Sequence, residues 1–107
     1  MSQEPPGPPT NLRVSDITSS IVTLAWDAPP PDSSSDVAQY YIDMKEEHEI
    51  EYAPIGRVDG RINSFTAEFL RKGKLYRFRV RAKNSAGFSE PLAELPNLVG
   101  LLPEVGL

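Results

Sequence analysis

Apolar and polar residues alternate along two segments of the chain, and this period of two is typical of β-strands. In one segment, four apolar residues alternate with four cations: Tyr76, Phe78, Val80 and Ala82 with Arg77, Arg79, Arg81 and Lys83. The other segment contains Val22, Leu24 and Trp26, the only tryptophan. Side chains two positions apart lie on the same face of a strand, so each segment buries one apolar stripe. The two segments predict a small antiparallel sandwich with one dry interior.

Five further segments, each bounded by turn-forming residues, complete the set of predicted strands: 10–15, 37–45, 52–58, 62–69 and 89–94. The prolines at 29–31, the Asp59-Gly60 pair and the segment 84–87 mark turns between strands. No window has the three-and-four spacing of an amphipathic helix. Seven short strands separated by turns predict an all-β, seven-stranded antiparallel immunoglobulin-like β-sandwich.

Length, cysteine content and charge narrow the class of protein. A chain of 107 residues is one domain with flanks, large enough for a single core without disulfides. It has no cysteine, which fits a reducing compartment, although cysteine-free extracellular domains also exist. The formal net charge is -4, with an acidic first half and a basic second half. An acidic domain repels phosphates, so we expect no nucleic-acid binding, and no apolar run is long enough to predict a membrane span.

The sequence gives only weak support for a catalytic or metal site. His48 lies among Glu46, Glu47, Glu49 and Glu51, but this spacing matches no zinc or calcium pattern, and such a turn is usually hydrated. No nucleophile motif accompanies the single histidine, and the carboxylates fall in predicted turns. The sequence therefore predicts a protein that is not an enzyme, with no catalytic residues, no bound metal and no cofactor.

Several motifs in one order resemble those of a known family. They are Pro-Pro-Thr-Asn-Leu-Arg-Val at 8–14, Val-Thr-Leu-Ala-Trp at 22–26, the spacing from Leu70 to Tyr76, and Tyr-Arg-Phe-Arg-Val-Arg-Ala-Lys-Asn at 76–84. The chain resembles a fibronectin type III domain over about 8–91. This resemblance implies sheets A-B-E and C-C′-F-G, with Trp26 in the core and the Tyr76 hydroxyl bonded to backbone near Leu70. The expected core residues are Trp26, Leu24, Tyr40, Ile42, Leu70, Tyr76, Phe78 and Val80.

Other segments resemble one branch of that family. The stretches at 6–12, 54–60 and 78–87 are similar to repeats of the titin, twitchin and myosin-binding protein group. This implies a non-catalytic repeat that acts as structural spacer and protein-interaction module in a large cytoplasmic muscle or cytoskeletal protein, with neighbouring modules or filament proteins as partners. The alternative is a module of an extracellular adhesion protein or receptor. We expect the isolated domain to be monomeric.

The cation row is the best candidate for a protein-binding face. That face would comprise Tyr41, Asp43, Arg77, Arg79, Arg81 and Lys83. An ordinary solvated sheet face, with the cations balanced by acids on neighbouring strands, is the favoured interpretation. The expected boundaries are a proline-rich linker at 1–9, the domain at 10–94 and a linker or tail at 95–107. Two interpretations of the leucine-rich tail stay open: a linker to the next module, or a segment that folds back or docks.

Overall fold

The strands of the chain form two antiparallel sheets packed face to face. The computed structural model describes residues 4–30, 36–89 and 93–103. Its strands are β1 (Thr10–Ile17), β2 (Val22–Asp27), β3 (Gln39–Glu46), β4 (Ala53–Asp59), β5 (Ser64–Ala67), β6 (Tyr76–Asn84), β7 (Gly87–Phe88) and β8 (Ala93–Glu94). One sheet has the order β1-β2-β5, and the other has the order β4-β3-β6-β7, with β8 also paired to β6.

The predicted architecture is confirmed, including the division of strands between the two sheets. Strands β7 and β8 both pair with β6, whose other edge is occupied by β3, so together they take the place of the seventh predicted strand. The middle of that predicted strand, at 90–92, lies outside the described residues, as do residues 31–35 of the predicted loop that begins at Pro29, and the end of the tail at 104–107. The two sheets therefore match the expected A-B-E and C-C′-F-G arrangement.

The fifth predicted strand is shorter than expected. Its predicted range was 62–69, but β5 covers only Ser64–Ala67. Phe69 has a φ of 63° and a side chain that is 94% exposed, so it cannot continue the ladder. It borders an open, mainly apolar cleft between β4 and β5, which Met44 and Phe65 also line. The alternation placed Phe65 and Ala67 correctly, but an aromatic residue at the end of the run made the strand look longer than it is.

The core lies between the sheets and is built from the inward faces of β2, β3 and β6. Trp26 is 1% exposed and meets Tyr40 edge to face, with their ring centroids 5.3 Å apart. Seven of the eight residues expected in the core lie in this buried cluster, and the eighth, Leu70, is half-buried against it. Full burial of each such aliphatic or aromatic side chain contributes about 1.5–3 kcal/mol, so this cluster is the main source of stability.

The tyrosine corner forms at the start of β6, with the hydroxyl acting as an acceptor. The backbone N–H of Arg71 donates to the Tyr76 hydroxyl at 2.8 Å. The bond therefore reaches the residue next to Leu70, where the resemblance placed it.

The ends of the described chain are attached to opposite ends of β6. At one end, the Asn84 side-chain amide donates to the carbonyl of Glu4 at 2.7 Å. At the other end, Tyr76 and Val99 exchange backbone hydrogen bonds of 2.8 Å in both directions. Leu95 is buried in the core, and the N–H of Leu102 donates to the carbonyl of Thr18. These contacts favour fold-back for residues 95–102, while the domain boundaries themselves stay predictions.

One glycine is required by close backbone approach. Gly60 follows β4 at the predicted Asp59-Gly60 turn, and a Cβ there would clash with the backbone carbonyl of Val37. Its own N–H donates to the carbonyl of Ala38 at 2.9 Å. The turn therefore ties the end of β4 to the segment that leads into β3, which fixes the register between these two strands.

Candidate protein-binding face

The residues proposed from sequence for a binding face do share one surface, on the outer side of β3 and β6. The register places Tyr41 opposite Arg81, Asp43 opposite Arg79, and Lys45 opposite Arg77. Inward partners alternate with these pairs, so the outer row contains no member of the buried apolar cluster. We call this surface the cationic face. Its basic residues are Lys45, Arg57, Arg77, Arg79, Arg81 and Lys83, and its carboxylates are Asp43, Asp59 and Glu94.

Asp43 is the centre of this face, and it is buried. Its side chain is only 1% exposed, although it points away from the apolar core. Arg79 Nε donates to Asp43 Oδ2 at 2.8 Å, and Arg81 Nη2 donates to Oδ1 at 3.3 Å. Arg81 Nε also lies 2.8 Å from Oδ2, but without the alignment of a hydrogen bond. One carboxylate therefore fixes two guanidinium groups, which cover it from water.

Aromatic rings hold the other sides of these cations. The Arg79 guanidinium lies 4.3 Å from the centroid of the Tyr52 ring, and that of Arg81 lies 4.1 Å from the Phe88 ring. Lys83 Nζ lies 5.3 Å from the same Phe88 ring and 5.5 Å from that of Tyr41. Cations within about 6 Å of a ring face are attracted by its quadrupole, and each such contact contributes about 0.5–1 kcal/mol at exposed sites.

Two tyrosines of this face have shifted acidities. The Tyr52 hydroxyl donates to Glu94 Oε2 at 2.6 Å. Partial burial, together with this bond to a carboxylate, raises the pKa of Tyr52 well above its usual range. The hydrogen bond from Arg57 and the charge of Lys83 lower the pKa of Tyr41. The pKa of Tyr52 is raised first by burial and then by the Glu94 carboxylate, against the opposing charge of Arg79, whereas the pKa of Tyr41 is lowered by neighbouring cations.

The sequence favours a solvated sheet face whose cations are balanced by cross-strand acids; Asp43 does balance Arg79 and Arg81, but both guanidinium groups are covered more than that interpretation implies. The Arg79 and Arg81 side chains are only 26% and 21% exposed, because rings and Asp43 cover them. Sequence reasoning missed Tyr52, Phe88 and Glu94 as members of this face. Pairing registers were needed to find them: Phe88 lies opposite Lys83, and Glu94 lies opposite Arg79. A sequence signal existed only for Tyr52, an aromatic residue at the start of the predicted strand 52–58.

The other candidate site is the acidic turn after β3, whose groups make hydrogen bonds within the protein. The Glu49 carboxylate accepts from the Glu46 N–H at 2.7 Å, and Glu47 N–H donates to the carbonyl of Leu75. Across residues 4–30, 36–89 and 93–103, no three side chains of His, Cys, Asp or Glu are grouped as metal ligands would be. The same ranges contain no helix with the length and apolar character that a membrane crossing requires.

Comparison with known proteins agrees with this architecture. The family described as "Fibronectin type III domain" matches residues 7–96. The chain is 32% identical over 87 residues to titin of Drosophila melanogaster, and 31% identical over 86 residues to human myomesin-2. These matches cover 81% and 80% of this chain, but 6% of myomesin-2 and a share of titin that rounds to 0%. The chain therefore spans a small fraction of the relatives it matches.

A solved structure gives the same result in three dimensions. The twitchin kinase region from C. elegans superposes with a TM-score of 0.80 at 32% sequence identity, covering 91% of this chain and 17% of that one. The matched part corresponds in size to a single module of a longer chain. With two sheets in the expected order, a tyrosine corner at the start of β6 and a family match over most of its length, this chain belongs to the fibronectin type III domain family.

Proposed function

We propose that this chain is a non-catalytic repeat of a large cytoplasmic muscle protein, where it serves as a spacer and as a protein-docking module. The observation that carries the proposal is the similarity of about four-fifths of the chain to titin and to myomesin-2, each far longer than this chain. The proposed location in the sarcomere rests on the same relatives. The similarity of this module to parts of muscle proteins is itself an observation, whereas its role and its location are the proposal.

The attachment of the chain ends supports a spacer role. The N-terminal segment is bonded at Asn84 and the C-terminal segment at Tyr76, at opposite ends of β6. At about 3.4 Å per residue, these positions lie roughly 27 Å apart. A module that the chain enters at one end and leaves at the other adds its own length to a tandem array. Hydrogen bonds at both ends also limit the swivel between this module and its neighbours.

The chemistry of the outer surface supports docking rather than catalysis. Its charged groups are held by Asp43 and by aromatic rings on a sheet face, where a substrate would stay in contact with water. General acid–base catalysis needs a group that can exchange a proton near neutral pH, and arginine does not. Fixed cations of this kind can instead hold the carboxylates of a partner.

Immunofluorescence tests this assignment. Antibodies raised against this chain should label permeabilised muscle fibres of the source organism in bands that repeat with the sarcomere. Intact, non-permeabilised cells should show no label, because a cytoplasmic epitope is out of reach. Surface labelling of intact cells would contradict the proposal and support the extracellular alternative. Preincubation of the antibody with the purified chain should abolish the bands.

A further inference from the structure

We propose that the cationic face binds an acidic segment of a partner protein in an extended conformation. This inference deepens the docking role proposed above and names its surface and the chemistry of its ligand. It rests on three features of the face: its net charge, the rigidity of its side chains and their spacing.

Charge on the cationic face is opposite to that of the rest of the molecule. Its six cations exceed its three carboxylates, so the face carries a net charge of +3. The whole chain has a formal net charge of -4, which leaves -7 for everything else. Such separation steers an acidic ligand towards one side and repels it from the others. The complement of this face is therefore a segment rich in aspartate or glutamate.

The cations are held in place before any ligand arrives. Arg79 is fixed between Asp43 and the Tyr52 ring, and Arg81 between Asp43 and the Phe88 ring. Ordering a free, rotamer-rich side chain at an interface costs conformational entropy. Here folding has already ordered the Arg79 and Arg81 side chains, so ligand binding loses less entropy. Asp43 carries one negative charge against two guanidinium groups, so the cluster stays positive after this pairing.

The spacing of the cations along β6 matches the spacing of alternate side chains in an extended peptide. Arg77, Arg79, Arg81 and Lys83 occupy alternate positions on β6, at intervals of roughly 6.6–6.8 Å along the strand. A peptide in the same extended conformation presents its own alternate side chains at this interval. A segment with acidic residues at every second position can therefore place one carboxylate near each cation. A helix would bring only residues three and four apart to the same side.

A polynucleotide fits this surface less well than a peptide. The cations cover one sheet face, and the net charge of -7 on the rest of the chain would repel a long phosphate backbone wherever it extends past that face. A peptide of about seven residues ends where the row of cations ends. The proposal is accordingly limited to a protein ligand, and nucleic acid is one of the outcomes that the experiment can return.

The test uses the intact chain and a synthetic peptide in which four glutamates alternate with serines, its termini blocked. Isothermal titration should show affinity that falls as salt rises, and amide chemical shifts should confine binding to the sheet of β3, β4, β6, β7 and β8. The Arg77→Glu, Lys83→Glu variant should bind about tenfold or more weakly. This pair leaves Asp43, Arg79 and Arg81 in place, so its fold can be checked by circular dichroism.

Controls separate this proposal from general attraction. Arg13→Glu, Arg71→Glu makes the same change of charge on β1 and in the loop before β6, and should change affinity less than about twofold. A peptide with its four glutamates in one block should bind more weakly than the alternating one. Equal weakening by both double variants, tighter binding of an oligonucleotide, or no shift at millimolar peptide would each overturn the inference. None of these results alters the band pattern that tests the proposed function.

Discussion

The inner and outer faces of β3 and β6 are both well packed, but different forces hold them. On the inner face, Tyr40 packs against Trp26 of β2 in the opposite sheet, and both exclude water and stabilise the fold by apolar burial. On the outer face, Asp43 is as fully buried as they are, yet its partners are the guanidinium groups of Arg79 and Arg81. Burial on the inner face depends on dispersion and the hydrophobic effect, and burial on the outer face depends on charge compensation. The two faces should therefore respond differently to substitution of the residues at their centres.

The largest effect is expected at Trp26 of β2, which packs against the inner face. Trp26→Ala should lower the free energy of unfolding by about 3–5 kcal/mol, because it removes the largest fully buried side chain and leaves a cavity. Urea denaturation followed by circular dichroism measures this change, since the tryptophan signal is lost with the residue. A cost below about 1 kcal/mol would mean that the sandwich does not depend on this indole.

The centre of the outer face comes next. Asp43→Ala should cost about 2–4 kcal/mol, because it leaves two partly covered guanidinium groups without their shared counter-charge. The matched control is Asp27→Ala, whose carboxylate pairs with Arg13 at 3.3 Å and is 53% exposed. That variant should change stability by about 0–1 kcal/mol. Equal costs for the two variants would show that the outer face is an ordinary solvated surface.

Two buried tyrosines on the inner face differ in whether the hydroxyl has a hydrogen-bond partner, so removing the hydroxyl from each in turn gives a direct comparison of stability. Tyr76→Phe should cost about 1–2 kcal/mol, because the Arg71 N–H loses its acceptor. The control, Tyr40→Phe, should be close to neutral. In the part of the chain that the structure describes, the buried Tyr40 hydroxyl has no hydrogen-bond partner. Thermal melting of both variants decides the point, and a larger loss for Tyr40→Phe would contradict it.

Alternation was sufficient to predict the inner face from the sequence. Inward-facing positions of a strand must be apolar, so apolar residues recur at every second position. Tyr76, Phe78 and Val80 follow this pattern in β6. The end of β5 was mispredicted because Phe69 continues the apolar pattern, while its positive φ turns the chain away. A positive φ at a single non-glycine residue produces no sequence pattern from which it could be predicted.

The outer face could be predicted only in part, for a different physical reason. The cation row was visible, but its degree of burial depends on rings brought from distant segments. Phe88 and Glu94 reach β6 only through the pairing of β7 and β8 with it, and Tyr52 precedes β4. A period of two reports which side a residue faces. It does not report what else covers that side.

The smallest expected effect is a change in pH dependence at the edge of the cationic face. Burial and the bond to Glu94 raise the pKa of Tyr52, so the folded protein keeps this proton at a pH where the unfolded chain loses it. The resulting stability is fully present below the unfolded pKa of about 10 and is lost as the pH rises through the folded value. Tyr52→Phe should therefore show a shallower loss of stability above pH 10 than the wild type, in urea midpoints measured from pH 9 to 11.5. Burial also raises the pKa of Tyr40, which contributes a slope of the same sign, so Tyr52→Phe should reduce the slope without abolishing it. Identical slopes in both proteins would show that the hydroxyl is free in solution and that the ring alone holds Arg79.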